Sequence, residues 1–161
     1  MEDAPRPTTF LYFAYGSNMS TTRLRDRTPS CRPIGTAVLA GHALRFQKRS
    51  KKDGSAKCDA HQTDDARDEV IGVVFEILLD EKRALDRAEG LGAGYNEKTV
   101  TLRHADGNEL IASTYFAAAD AIDVSLLPTR EYKQLVLDGA KEHLLPAAYV
   151  EAMIGSVQTR D

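Results

Sequence analysis

The sequence predicts one α+β domain, and three of its features carry that expectation. Its 161 residues suffice to close a single hydrophobic core and are too few to form two full ones. Strand-like segments fill the first two thirds and helix-like segments the last third. Where strands follow one another closely, the linkers suit antiparallel hairpins rather than strand-helix-strand crossovers, which also argues against a nucleotide-binding Rossmann architecture.

Residues 1–8 read as a flexible tail, because Met1-Glu2-Asp3-Ala4-Pro5-Arg6-Pro7 is acidic and proline-rich where a secretory leader would be basic and then apolar. Phe10 to Tyr15 is a short apolar and aromatic run bounded by Gly16, the signature of a buried strand ending in a turn. Ser20 is placed to cap a short helix through Arg27 that must stop before Pro29. Strands are expected over Ile34 to Leu39 and Ala43 to Gln47, joined at Ala40-Gly41-His42. Residues 48–68 form the most polar stretch and the segment expected to be most mobile, although Ala56 to Ala60 alternates like a half-buried strand.

Val70 to Leu78 is almost continuously apolar and β-branched, the pattern of a central strand covered on both faces. Asp80 is then expected to cap a helix that Gly90 ends, putting Glu89 at its C-terminal edge. Tyr95 to His104 and Glu109 to Ala118 flank Ala105-Asp106-Gly107-Asn108, a hairpin signal. Thr129 caps a helix with Tyr132, Leu135, Val136 and Gly139 on one face. A last helix starts at Pro146 and buries Tyr149, Val150, Met153 and Ile154.

Composition excludes several function classes. Hydrophobic residues make up 42% and charged residues 28% of the chain, and no apolar run approaches the roughly 20 residues of a membrane span. The expected location is the cytoplasm. A net charge of −3 gives no footprint for a polyanionic partner, and the basic run Arg45 to Lys52 reads as a solvated strand end and loop, so no nucleic-acid partner is expected. Cys31 and Cys58 read as buried free thiols. His42, His61, His104 and His143 lack metal-ligand spacing, no serine sits in a nucleophile elbow, and no glycine-rich run ends in Lys-Ser or Lys-Thr.

Two candidates for chemistry remain. Tyr15-Gly16-Ser17-Asn18 follows a buried strand and could turn its backbone amides outward as a nest for a carboxylate or oxyanion, or could be a plain turn. Glu89 faces the negative end of its helix dipole, which with burial would raise its pKa toward a range useful for acid-base work; the alternative is an exposed helix end. Asp86 is either its neighbour or a solvated residue.

These residues carry a resemblance. Phe10 to Met19, then Leu85-Asp86-Arg87-Ala88-Glu89-Gly90 with Tyr95 behind it, the strand Asp68 to Val74, and Tyr132-Lys133 through Gly139 to Glu142 with Leu145-Pro146 and Tyr149 together resemble the γ-glutamylcyclotransferases. The resemblance implies a mixed, largely antiparallel barrel-like sheet with peripheral helices, and conversion of γ-glutamyl amino acids or dipeptides to 5-oxoproline and a free amino acid. It implies Glu89 as the catalytic acid-base, with Tyr12, Phe13, Ala14, Tyr15, Gly16, Ser17, Asn18, Tyr95, Tyr115 and Tyr132 around the substrate. No metal or other cofactor is implied, since the substrate's own amine is the nucleophile, and a homodimer fits the resemblance. The loop from Gly90 to Tyr95 is one residue shorter than in the animal enzymes and residues 49–68 depart from the pattern, which leaves the acceptor side open. The rival functions are a γ-glutamylamine cyclotransferase and a non-catalytic γ-glutamyl or carboxylate binding module.

Overall fold

The computed structural model describes residues 8–161; most of the N-terminal tail expected over residues 1–8 therefore lies outside the described residues, while the carbonyl of Thr8 accepts from Leu79 N–H at 2.9 Å. In chain order the elements are β1 (Thr9–Ala14), α1 (Thr21–Arg25), β2 (Arg32–Ala40), β3 (His42–Arg49), β4 (Ala56–Gln62), β5 (Glu69–Leu78), α2 (Lys82–Glu89), β6 (Tyr95–His104), β7 (Glu109–Ala117), α3 (Arg130–Glu142) and α4 (Ala147–Val150). A wide π turn, Glu151–Gly155, continues α4.

Five strands close into a barrel in the order β1-β5-β2-β6-β7, and β3 and β4 form a separate two-stranded ribbon. Every barrel pairing is antiparallel except the closing one, a short parallel contact of β1 with β7 at Tyr12 and Ser113. The architecture is the mixed, largely antiparallel α+β barrel expected from the sequence. Strand β5 pairs with β1 and β2 over most of its length, and Val70, Val73, Val74, Phe75 and Ile77 along it are fully buried. Burial of each such side chain contributes roughly 1.5–3 kcal/mol.

The helices hold the barrel mouth in place. Leu85 is fully buried and seats α2 on the core, so truncating it to alanine would cost roughly 2–5 kcal/mol. Gly90 takes the left-handed conformation (φ 75°) that ends α2 and leaves Glu89 as its last residue. The expected Asp80 cap is not made. Residues 79–81 form a tight turn whose Leu79 carbonyl already accepts from Lys82 N–H, so the amide a cap would satisfy is taken.

Thr129 caps α3 as expected, its hydroxyl accepting from Tyr132 N–H. Helix α3 lies against the loop after β1, where a Cβ on Gly139 would fall 2.7 Å from Ser20 N and 2.8 Å from Met19 Cβ. Its C-terminal end clamps the same loop: Thr21 hydroxyl donates to Glu142 at 2.5 Å and His143 Nε2 donates to Met19 O at 2.8 Å. The ribbon is pinned by buried Asp59, which accepts from Ala117 N–H of β7 and from the Gln47 amide. Residues 48–68 are thus tied to the barrel through strand β4.

Candidate active site

The open end of the barrel holds a cavity lined by Tyr12, Tyr15, Gly16, Ser17, Asn18, Cys58, Glu89, Tyr95, Tyr115 and Tyr132. Chain segments far apart in sequence meet there: the end of β1 and its loop, β4, the last residue of α2, the first of β6, β7, and α3. Of the residues expected around the substrate, Phe13 and Ala14 do not line it. Alternation along β1 sends Phe13 to the face opposite Tyr12, where it is fully buried with its ring 6.2 Å from that of Tyr15. Ala14, with only a methyl group, is buried in the wall.

Glu89 puts the one carboxylate among these lining residues into the cavity. Asn18, itself buried, donates its side-chain amide both to Glu89 Oε1 and to the Tyr12 hydroxyl. Burial raises the Glu89 pKa above its ordinary value, and Arg27, the Asn18 hydrogen bond, Arg23 and Lys48 partly oppose that rise. A raised pKa moves the carboxyl in the direction that suits a group both taking up and giving up a proton.

The other polar groups are arranged as fixed donors. Tyr15 donates to Tyr115 O at 2.6 Å, Tyr95 donates to Cys58 O at 2.6 Å, and Tyr115 donates to Asp86 at 2.5 Å. Asp86 is thus held between Tyr115 and Lys82, whose ammonium lies 2.5 Å away. Tyr132 accepts from Cys58 N–H at 3.0 Å. Burial pushes the phenols of Tyr12, Tyr15, Tyr95 and Tyr132 well above their ordinary range, and pushes the Cys58 thiol up to about 12. Cys58 is a neutral wall residue rather than a thiolate nucleophile. In the loop, Met19 N–H bonds to Gly16 O and Ser20 N–H to Ser17 O, and among the described residues the amides of Gly16, Ser17 and Asn18 have no such partner.

Residues 69–153 match the AIG2-like family. The chain is 32% identical over 155 residues to the γ-glutamylcyclotransferase of Bos taurus, covering 94% of this chain and 80% of that one, and 32% identical over 152 residues to the Homo sapiens enzyme. A solved γ-glutamyl cyclotransferase superposes with a TM-score of 0.86 at 30% identity, covering 96% of this chain and 90% of the other.

The chain belongs to the γ-glutamylcyclotransferase family. Family membership covers the strand, loop and helix edge that build the cavity, but the cavity opens into a vestibule that sequence reasoning missed. There Arg23, Arg27, Lys48, Lys51, Lys52, Lys57 and Arg87 surround the approach to Glu89. Arg23 donates from Nε to the Ser17 hydroxyl, and Arg27 Nε is buried without a partner among the described residues. The basic run expected to be a solvated strand end and loop is only partly so. Lys48 is 6% exposed, and Gln47 and Ser50 are buried beside it, because β3 carries a bulge between Phe46 and Lys48 that turns the lysine inward. A bulge leaves no mark in a charge pattern. The signal that could have been used is the strand-like alternation of Ala56 to Ala60, which called for a pairing partner.

Proposed function

We propose that the protein is a γ-glutamylcyclotransferase that converts a γ-glutamyl amide of an amino acid or dipeptide to 5-oxoproline and a free amine. The α-amine of the glutamyl group attacks its own γ-carbonyl carbon; a C–N bond forms within the new ring and the original amide C–N bond breaks. Glu89 takes a proton from the α-ammonium and delivers one to the departing nitrogen, so the carboxylate ends as it began and nothing else is consumed. The amides of Gly16, Ser17 and Asn18 hold a substrate oxygen, and the tyrosines fold the glutamyl chain into a near-attack conformer. Such positioning is where an intramolecular reaction gains most of its rate.

The observation that carries this reading is the lone carboxylate of Glu89, held by Asn18 in a cavity of neutral hydroxyls and free loop amides. That set suits a reaction whose nucleophile is supplied by the substrate. The test is release of 5-oxoproline and free amine in equal amounts from γ-glutamyl-alanine, with glutathione and ε-linked γ-glutamyl-lysine assayed beside it. Product from γ-glutamyl-alanine is the expected result. Product from γ-glutamyl-lysine alone would reassign the protein to γ-glutamylamines, and calorimetric binding without any product would make it a binding module.

A further inference from the structure

The two lysines of the ribbon stand in an unusual relation. The bulge in β3 shifts the register so that Lys48 lies directly opposite Lys57 of β4, and like charges facing each other across a strand pair destabilise it. Among the described residues neither ammonium makes a hydrogen bond or ion pair, and Glu89 acts on Lys48 and Asp53 on Lys57 only from beyond contact distance. Instead each sits on a tyrosine of the cavity, Lys48 Nζ 4.6 Å from the centre of the Tyr95 ring and Lys57 Nζ 4.1 Å from that of Tyr132. Lys48 is nearly buried, and the space for its end exists because residue 94 is glycine: a Cβ there would fall 2.8 Å from Lys48 Cε and 3.0 Å from Nζ. Burial lowers the pKa of both ammonium groups, and Glu89 for Lys48 and Asp53 for Lys57 only partly oppose it.

We propose that Lys48 and Lys57 form an anion subsite for the departing half of the substrate, and that the preferred leaving group is an acidic amino acid. This rests on the cyclotransfer reading above. With the glutamyl group in the tyrosine-lined cavity and the scissile bond at Glu89, the leaving amine projects into the vestibule between the two lysines. A leaving amino acid always carries one carboxylate there; an acidic one carries two, one for each ammonium. The same field disfavours a cationic leaving group, so specificity has an attractive and a repulsive side.

The test compares kcat/KM for 5-oxoproline release from γ-glutamyl-glutamate, γ-glutamyl-alanine and α-linked γ-glutamyl-arginine, in the wild type and in Lys48→Met, Lys57→Gln and Lys57→Glu. The wild type is expected to rank glutamate above alanine above arginine. Each neutral variant should lower the glutamate-to-alanine ratio by about tenfold, the value of one charge-assisted hydrogen bond, with the loss mainly in KM. Lys57→Glu should bring γ-glutamyl-arginine above γ-glutamyl-glutamate, an inversion that loss of folding cannot produce. Equal rates for the three substrates in the wild type, or losses of the same size on all three in every variant, overturn the subsite and leave the reaction standing. No 5-oxoproline from any of them overturns the reaction and the subsite together.

Discussion

The tyrosine-lined cavity and the basic vestibule share Glu89, Asn18, Tyr95 and Tyr132, yet they obey opposite electrostatic rules. In the cavity, Tyr15, Tyr95 and Tyr115 spend their protons on fixed acceptors, and burial keeps the phenols neutral. In the vestibule, Lys48 and Lys57 lie opposite each other on paired strands, with no carboxylate in ion-pair contact among the described residues. The first region can select by shape and directed hydrogen bonds, which salt hardly touches; the second can act only through charge. Glu89 stands at the boundary, lining both regions, and it is there that the proposed proton transfers take place.

The comparison breaks most sharply at that boundary. Glu89→Gln keeps the size of the side chain and removes its ability to carry a proton, so kcat should fall by at least about 100-fold while the fold is retained. Near-wild-type turnover would remove Glu89 from the mechanism. Asn18→Ala should come next. It deletes a hydrogen bond to a charged group, for which a loss of roughly tenfold or more in kcat is expected. The Asn18 bond also lowers the Glu89 pKa, so without it the carboxylate ionises at higher pH. The acid limb of the kcat profile, expected above the ordinary range of a glutamate because burial raises the Glu89 pKa, should move up further; an acid limb that moved down would contradict the assignment of the titrating group.

The two regions also differ in how far the sequence revealed them. The cavity was legible because its parts sit in contiguous signals: an aromatic strand ending at Gly16, and a helix ending at Gly90 that leaves Glu89 at its edge. Alternation along β1 could equally have told that Phe13 turns away from Tyr12. The hairpin at Asp106-Gly107 and the helix capped by Thr129 were legible for the same local reason. The vestibule was not, because it depends on a bulge at Gln47 and on pairing between β3 and β4, both non-local. A run of lysines is the same string of letters whether it is solvated or folded over tyrosine rings. Cys58 shows the same limit: its burial was expected, its place in the cavity wall was not.

Salt sharpens the contrast. Raising ionic strength from about 0.02 M to about 0.5 M shrinks the Debye length from roughly 20 Å to a few ångströms. KM for γ-glutamyl-glutamate should then rise several-fold, whereas kcat, set by the enclosed cavity, should change less than about twofold. A salt effect falling mainly on kcat would mean that the vestibule charges act on Glu89 rather than on the substrate.

The smallest expected effect concerns stability, and its sign discriminates between burial and the surrounding cations. Burial raises the Glu89 pKa in the folded protein above its value in the unfolded chain. Below the unfolded-state pKa the carboxyl is protonated in both states and the folded protein bears no penalty. As pH rises through the folded-state pKa, the unfolded chain ionises first, and the stability associated with the protonated group is lost. Glutamine does not ionise and escapes that loss. The difference in Tm between Glu89→Gln and the wild type should therefore be flat below about pH 4, grow in favour of the variant as pH rises above it, and level off once the folded carboxyl is ionised. For a chain of this size each kcal/mol corresponds to roughly 2–4 °C, so thermal scans at a series of pH values resolve it. The growth should be steeper in the Lys48→Met background, because Lys48 lowers the Glu89 pKa and its loss makes the ionised carboxylate less favourable. A difference that shrank with pH would mean that Arg27, Arg23 and Lys48 outweigh burial, and the boundary between the two regions would then belong electrostatically to the vestibule.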